Sequence, residues 1–153
     1  MKIILLALTL CSARSLSRHI QQTVQLYSTD TGRHLAISPR RVGSTKKTNS
    51  KLAEIEMISV SGSEFILKGS QTGLLVSHSG KRLRVTHDKE NATKFSEELI
   101  EPNQYSKYKI SQSNCFLVVR KNGKTKISCK ETQSNTFLPR RVHQKKVSRG
   151  QKS

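Results

Sequence analysis

Short runs in which apolar and polar residues alternate are separated along this chain by polar turns, and the arrangement comes three times. VQLYSTDTGRHLAIS, EFILKGSQTGLLVS and KYKISQSNCFLVV each read as a strand, a turn and a second strand. Leu35, Leu75 and Leu117 fall at matching places, 40 and 42 residues apart. A second set, Leu52, Phe95 and Phe137, keeps nearly the same step at 43 and 42. Two independent marker sets at one period predict three equivalent β units that close a shared core.

Turn chemistry divides each unit further. Asn122-Gly123 between two apolar runs is the clearest hairpin signal; Ser79-Gly80 and Pro39-Arg40-Arg41 mark the corresponding turns of the other units. Glu54 to Val60 alternates and predicts a half-buried strand, while the weaker periodicity of Asp88 to Glu101 leaves room for a helical turn. No long amphipathic helix is visible. The expected fold is all-β: a β-trefoil of about twelve short strands in three pseudo-equivalent repeats, whose closure removes exposed sheet edges. Its expected core holds Leu35, Ile37, Leu75, Leu83, Leu117 and Val119 with Phe65, Phe95 and Phe137. At 33% hydrophobic residues without tryptophan that core is modest, yet sufficient for one domain at 153 residues.

The chain opens with Lys2, an apolar run from Ile3 to Leu10, then Cys11-Ser12-Ala13. That is the layout of a secretory signal peptide, residues 1–13 with cleavage within about 12–17, and the run is too short for a membrane-spanning helix. Residues 14–23 read as a polar N-terminal extension, 24–139 as the periodic domain, and 140–153 as a basic disordered tail. The chain is accordingly expected outside the cell, secreted and not membrane-inserted.

Charge narrows the partners. The formal net charge is +18, or +17 once Lys2 leaves with the leader. A surplus this large repels itself and suits a polyanionic partner. Losing Cys11 leaves Cys115 and Cys129, which in an oxidising compartment either pair or remain two thiols. Asn91-Ala92-Thr93 fits the N-glycosylation acceptor pattern. No catalytic chemistry is expected. The five histidines are scattered without zinc spacing, and neither a nucleophile elbow nor a phosphate-binding glycine loop is present. Glu97-Glu98 with Glu101 reads as a solvated acidic turn.

From Leu26 to Arg140 the chain resembles a divergent fibroblast growth factor. The carriers are Leu26-Tyr27, Gly32-Arg33-His34-Leu35-Ala36-Ile37-Ser38-Pro39, Gly73-Leu74-Leu75-Val76, Phe95-Ser96-Glu97, Asn103-Gln104-Tyr105, Phe116-Leu117-Val118-Val119, Asn122-Gly123-Lys124 and Phe137-Leu138-Pro139-Arg140. The resemblance implies a secreted ligand, monomeric before receptor engagement, for the ectodomain of a fibroblast growth factor receptor tyrosine kinase. Heparan sulfate is the implied co-ligand, with no other cofactor and no metal, and proliferation or migration of target cells the implied outcome. Carried over residue by residue, the receptor surface is Tyr27, Arg41, Glu97, Asn103, Tyr105 and Leu138, and the heparan sulfate surface is Arg120, Lys121, Asn122, Lys124, Lys126 and Lys130.

The chain departs from the family pattern in several places. Its basic loop before the last strand is shortened to residues 131–135; Asp30 stands where a neutral or basic residue is common, Ser28 and Thr93 where cysteines are frequent, and Arg140 where an apolar receptor contact is typical. A trefoil lectin or protease inhibitor is the rival reading, and the missing tryptophan counts against a ricin-like lectin. A nucleic-acid binder is suggested by charge alone; the leader and the lack of clustered aromatics speak against it.

Overall fold

The computed structural model describes residues 21–130 and 136–142. The expected leader, the extension up to residue 20, the shortened loop 131–135 and the tail from 143 lie outside the described residues. Within them the chain forms twelve strands: β1 Gln21–Ser28, β2 His34–Ile37, β3 Val42–Thr45, β4 Ile55–Ser61, β5 Glu64–Gly69, β6 Leu75–Ser79, β7 Arg82–Thr86, β8 Phe95–Ile100, β9 Tyr105–Ile110, β10 Phe116–Val119, β11 Thr125–Ser128 and β12 Phe137–Arg141. Two single-turn 3-10 segments, Lys51–Ala53 and Lys89–Asn91, precede β4 and β8, the second inside the stretch expected to hold a helical turn. The expected domain limits of 24 and 139 fall inside strands, since β1 already pairs with β4 from Gln21 and β12 runs on to Arg141.

Six strands close a barrel. β1 pairs with β4, β4 with β5, β5 with β8, β8 with β9, β9 with β12 and β12 with β1, all antiparallel. The remaining strands form the hairpins β2–β3, β6–β7 and β10–β11, one per repeat, as the turn signals predict. A six-stranded barrel with three capping hairpins is a β-trefoil.

The repeat is more regular than the sequence markers suggest. The Ser28 N–H donates to the Arg33 carbonyl at 2.7 Å, Gly69 N–H to Leu74 at 2.8 Å, and Ile110 N–H to Cys115 at 2.9 Å, each 41 residues after the last. At the same step Leu26, Leu67 and Tyr108 are fully buried, as are Leu35, Val76 and Leu117. Leu75 is therefore not the partner of Leu35 and Leu117. It matches His34 and Phe116 and packs with Ile66 and Ala92 in a small cluster outside the central core. Leu52 is likewise displaced from its expected role. Glu54, Lys94 and Thr136 accept equivalent bonds from Ser70, Ser111 and Thr29, so the counterpart of Phe95 and Phe137 is Ile55, and Leu52 sits half-buried in a 3-10 turn. The other expected core residues are buried as predicted.

Candidate functional site

Pseudo-symmetry gives a direct way to find surface that departs from the fold's needs. The outward residue near the end of the first strand of each repeat is Tyr27, Lys68 or Lys109, all one period apart. Lys68 lies 4.0 Å from Glu56 and Lys109 lies 3.6 Å from Glu98, so two of the three places carry an ion pair. At the third, Tyr27 is paired with Leu138 across β1 and β12. On the other side of β12, Phe137 pairs with Ser106, which brings the neighbouring outward residues Leu138 and Tyr105 alongside each other. Three half-buried side chains, Tyr27, Leu138 and Tyr105, thus form one row across β1, β12 and β9.

The row has charged and polar surroundings. The Arg140 guanidinium lies 4.9 Å from the centre of the Tyr27 ring, a cation–π contact, and the His34 ring lies 5.2 Å from it on the neighbouring strand. Arg140, read from the sequence as a departure, is therefore the cap over Tyr27. Burial first, then the Arg140 charge, lowers the His34 imidazole below its ordinary value.

Asn103 is exposed in the β8–β9 turn, two residues before Tyr105. Glu97, exposed on β8, pairs with Tyr108 and so faces the opposite side of that ribbon from Tyr105. Burial chiefly, with the Glu97 charge second, pushes the Tyr108 phenol well above its usual value. Leu99 follows on the same side as Glu97 and is 58% exposed, the one large apolar side chain so exposed among the described residues. Sequence reasoning passed over it because its strand showed weak periodicity. Arg41 stands at the β2–β3 turn, held by Ser38 through its backbone, and shares no strand pairing with the tyrosine row.

The second candidate surface is the β10–β11 hairpin. Its turn is built by Gly123 N–H donating to the Arg120 carbonyl at 2.9 Å, Arg120 N–H to the Lys124 carbonyl at 2.8 Å, and Lys124 N–H to Asn122 Oδ1 at 3.0 Å. Gly123 has φ +86°, a backbone angle that favours glycine, and the movable end of the Arg33 side chain lies over it, 2.8 Å from where a Cβ would stand. Ser44 Oγ donates to the Gly123 carbonyl at 2.6 Å and Thr125 Oγ1 to the Val42 carbonyl at 2.7 Å, seating this hairpin on the first. Cys115 and Cys129 lie opposite each other one rung beyond the Phe116–Ser128 pair and are joined as a disulfide, with Cα atoms 4.0 Å apart.

Arg120, Lys121, Asn122 and Lys124 are thereby grouped at the turn, with Lys126 on β11 and Lys130 just beyond it. Partial desolvation and the charges of Arg120, Lys81 and Lys130 hold the Lys126 ammonium below the ordinary lysine value. Lys81 comes from the β6–β7 turn, and sequence reasoning missed it because 45 residues separate it from Lys126.

Asn91 is exposed, its Nδ2 donating to Asp88 Oδ2 at 3.0 Å, while Thr93 of the same triplet is buried with its hydroxyl 2.6 Å from His78 Nδ1. A shallow groove of about 320 Å³ lies nearby, lined by Glu64, His78, Asn91, Thr93, Lys94 and Gln112. The hydroxyls of Ser111 and then Ser61 lower the Glu64 carboxyl, which favours its ionised form over that of a general acid. Among the described residues no group of His, Cys, Asp or Glu is arranged to hold a metal, and no helix is long and apolar enough to cross a membrane.

The geometry is that of a β-trefoil with two surface patches, one aromatic and one cationic. Residues 22–138 match the fibroblast growth factor family model, and the chain belongs to that family. Its members are growth factors and not enzymes. A comparison with curated proteins found no significant match.

Proposed function

We propose that this chain is a secreted growth factor that binds and activates a fibroblast growth factor receptor tyrosine kinase, with heparan sulfate as co-ligand, and so promotes proliferation or migration of the responding cells. The observation that carries the reading is the row of Tyr27, Leu138 and Tyr105, where the trefoil replaces the ion pairs of its other two repeats by aromatic and aliphatic surface. Tyrosines with a buried body and a free polar end are frequent interface anchors. Asn103 extends the patch with an amide able to donate and accept. Glu97 and Arg41 contribute charge from other faces.

Heparan sulfate is held by Arg120, Lys121, Asn122, Lys124, Lys126 and Lys130, whose guanidinium and ammonium groups match sulfate and carboxylate. The sugar concentrates the monomer at the cell surface, and simultaneous contact with receptor and sugar adds avidity. The exposed Asn91 suits an N-linked glycan, and the chain acts by binding without catalysis.

The test is receptor tyrosine phosphorylation in cells exposed to the secreted protein, with and without heparan sulfate. Tyr27→Ala and Tyr105→Ala each shift the dose for half-maximal phosphorylation upward by about 30-fold, the effect of losing one anchor worth about 2 kcal/mol. Their elution from heparin stays unchanged. Wild-type potency in both variants would remove the aromatic row from the receptor contact.

A further inference from the structure

We propose that the sulfated sugar is gripped by two hairpins, its path running from the β10–β11 turn across Lys81 onto the exposed Arg82 and Arg84 of β7. The inference rests on the polyanion reading above and extends its footprint into the second repeat.

The tip of the β6–β7 hairpin is fixed to β11, because Ile127 N–H donates to the Lys81 carbonyl at 2.9 Å. This bond sets Lys81 beside Lys126, which senses its charge together with those of Arg120 and Lys130. Lys81, Lys126 and Arg120, drawn from two repeats, therefore crowd one seam. Like charges so placed oppose one another unless an anion lies between them.

From that seam β7 leads away along the surface. Arg82 and Arg84 are exposed on either side of the buried Leu83, so both project from the same face, about 7 Å apart at the usual strand rise. Their cross-strand neighbours are Ser79 and Ser77, small residues that leave the guanidinium groups uncovered. β7 ends the hydrogen-bonded order of strands, and no described acid forms an ion pair with Lys81, Arg82 or Arg84. Lone cations on an edge strand also serve to block edge-to-edge association. What that role does not explain is the continuity of the line through Lys81 into the third-repeat cluster.

Binding of a heparin tetrasaccharide and a dodecasaccharide, measured by calorimetry, tests the extent of the track. Arg82→Ser/Arg84→Ser is expected to leave the short oligosaccharide within about twofold of wild type and to weaken the long one about tenfold, since only the long one gains from engaging both arms. Lys46→Ser/Lys47→Ser removes the same charge from an exposed loop elsewhere and retains the length preference. Unchanged long-chain affinity in the β7 variant, an equal loss for both lengths, or an equal loss in the loop variant would overturn the two-hairpin track. Arg120→Ser/Lys126→Ser reports separately on the underlying reading: if it leaves tetrasaccharide binding intact, the β10–β11 hairpin is not the primary site. Thermal melts of all three variants establish that each is folded.

Discussion

His34 lies beneath Tyr27 with 3% of its surface exposed. At the pseudo-equivalent places the chain carries Leu75 and Phe116, so the fold itself asks only for an apolar side chain there. Burial and Arg140 lower the imidazole below its ordinary 6.5, so the native chain keeps it neutral while the unfolded chain takes up a proton. The sign follows: stability is at its full value above about pH 6.5 and falls as the solution is acidified, until the native histidine is protonated as well. Chemical denaturation at pH 7.5 and 5.5 should show a larger loss in the wild type than in His34→Leu. An equal loss would assign the acid sensitivity to other groups.

Among the elements, the β10–β11 hairpin is the one closed covalently, by Cys115–Cys129 over a sequence separation of 14 residues. A link over a loop of this length stabilises by about 2–4 kcal/mol, mainly by restricting the unfolded chain. Cys115→Ala/Cys129→Ala is therefore expected to lower the unfolding free energy by about that amount in urea. Its elution from heparin should also move to lower salt, because the hairpin's cations lose part of their fixed spacing. An unaltered urea midpoint would mean that the contacts of Ser44 and Thr125 with neighbouring hairpins suffice.

The hairpins themselves were legible in the sequence, because a turn needs glycine, asparagine or proline at specific backbone angles and these residues advertise it. Strand facing was harder to read. In Gly73-Leu74-Leu75-Val76 three apolar residues stand in a row, and alternation does not say which of them points inward; the shared hydrogen bonds put Leu74 and Val76 there. Lys51-Leu52-Ala53 hid the same ambiguity behind a 3-10 turn. At the candidate site, Tyr27, Tyr105 and Leu138 carried the family pattern. The Arg140 stack and the Lys81 seam did not, since both depend on segments brought together only by closure of the barrel.

At the scale of the whole molecule a net charge of +18 has opposite effects on the free and the bound protein. Alone, the folded body concentrates positive charge, so added salt screens self-repulsion and should raise the melting temperature. With heparin at about 100 times its dissociation constant, binding adds about 2.7 kcal/mol, and salt weakens that contribution by competing for the cations. Melting temperature against salt should therefore rise without heparin and fall with it, the two curves converging at high salt. Parallel curves would mean that the sugar is held by something other than charge.

The two ends of the described body meet in one antiparallel ladder: Val24 sits opposite Arg141, and Val142 N–H reaches the Thr23 carbonyl at 3.1 Å. The polypeptide is thus a ring cut once, at a joint no wider than the gap between neighbouring strands. Which third comes first along the chain is immaterial to the barrel. The position of the cut instead leaves the two ends of the described body, at Gln21 and Val142, on neighbouring strands of one edge, several residues along the ladder from Tyr27 and its arginine lid.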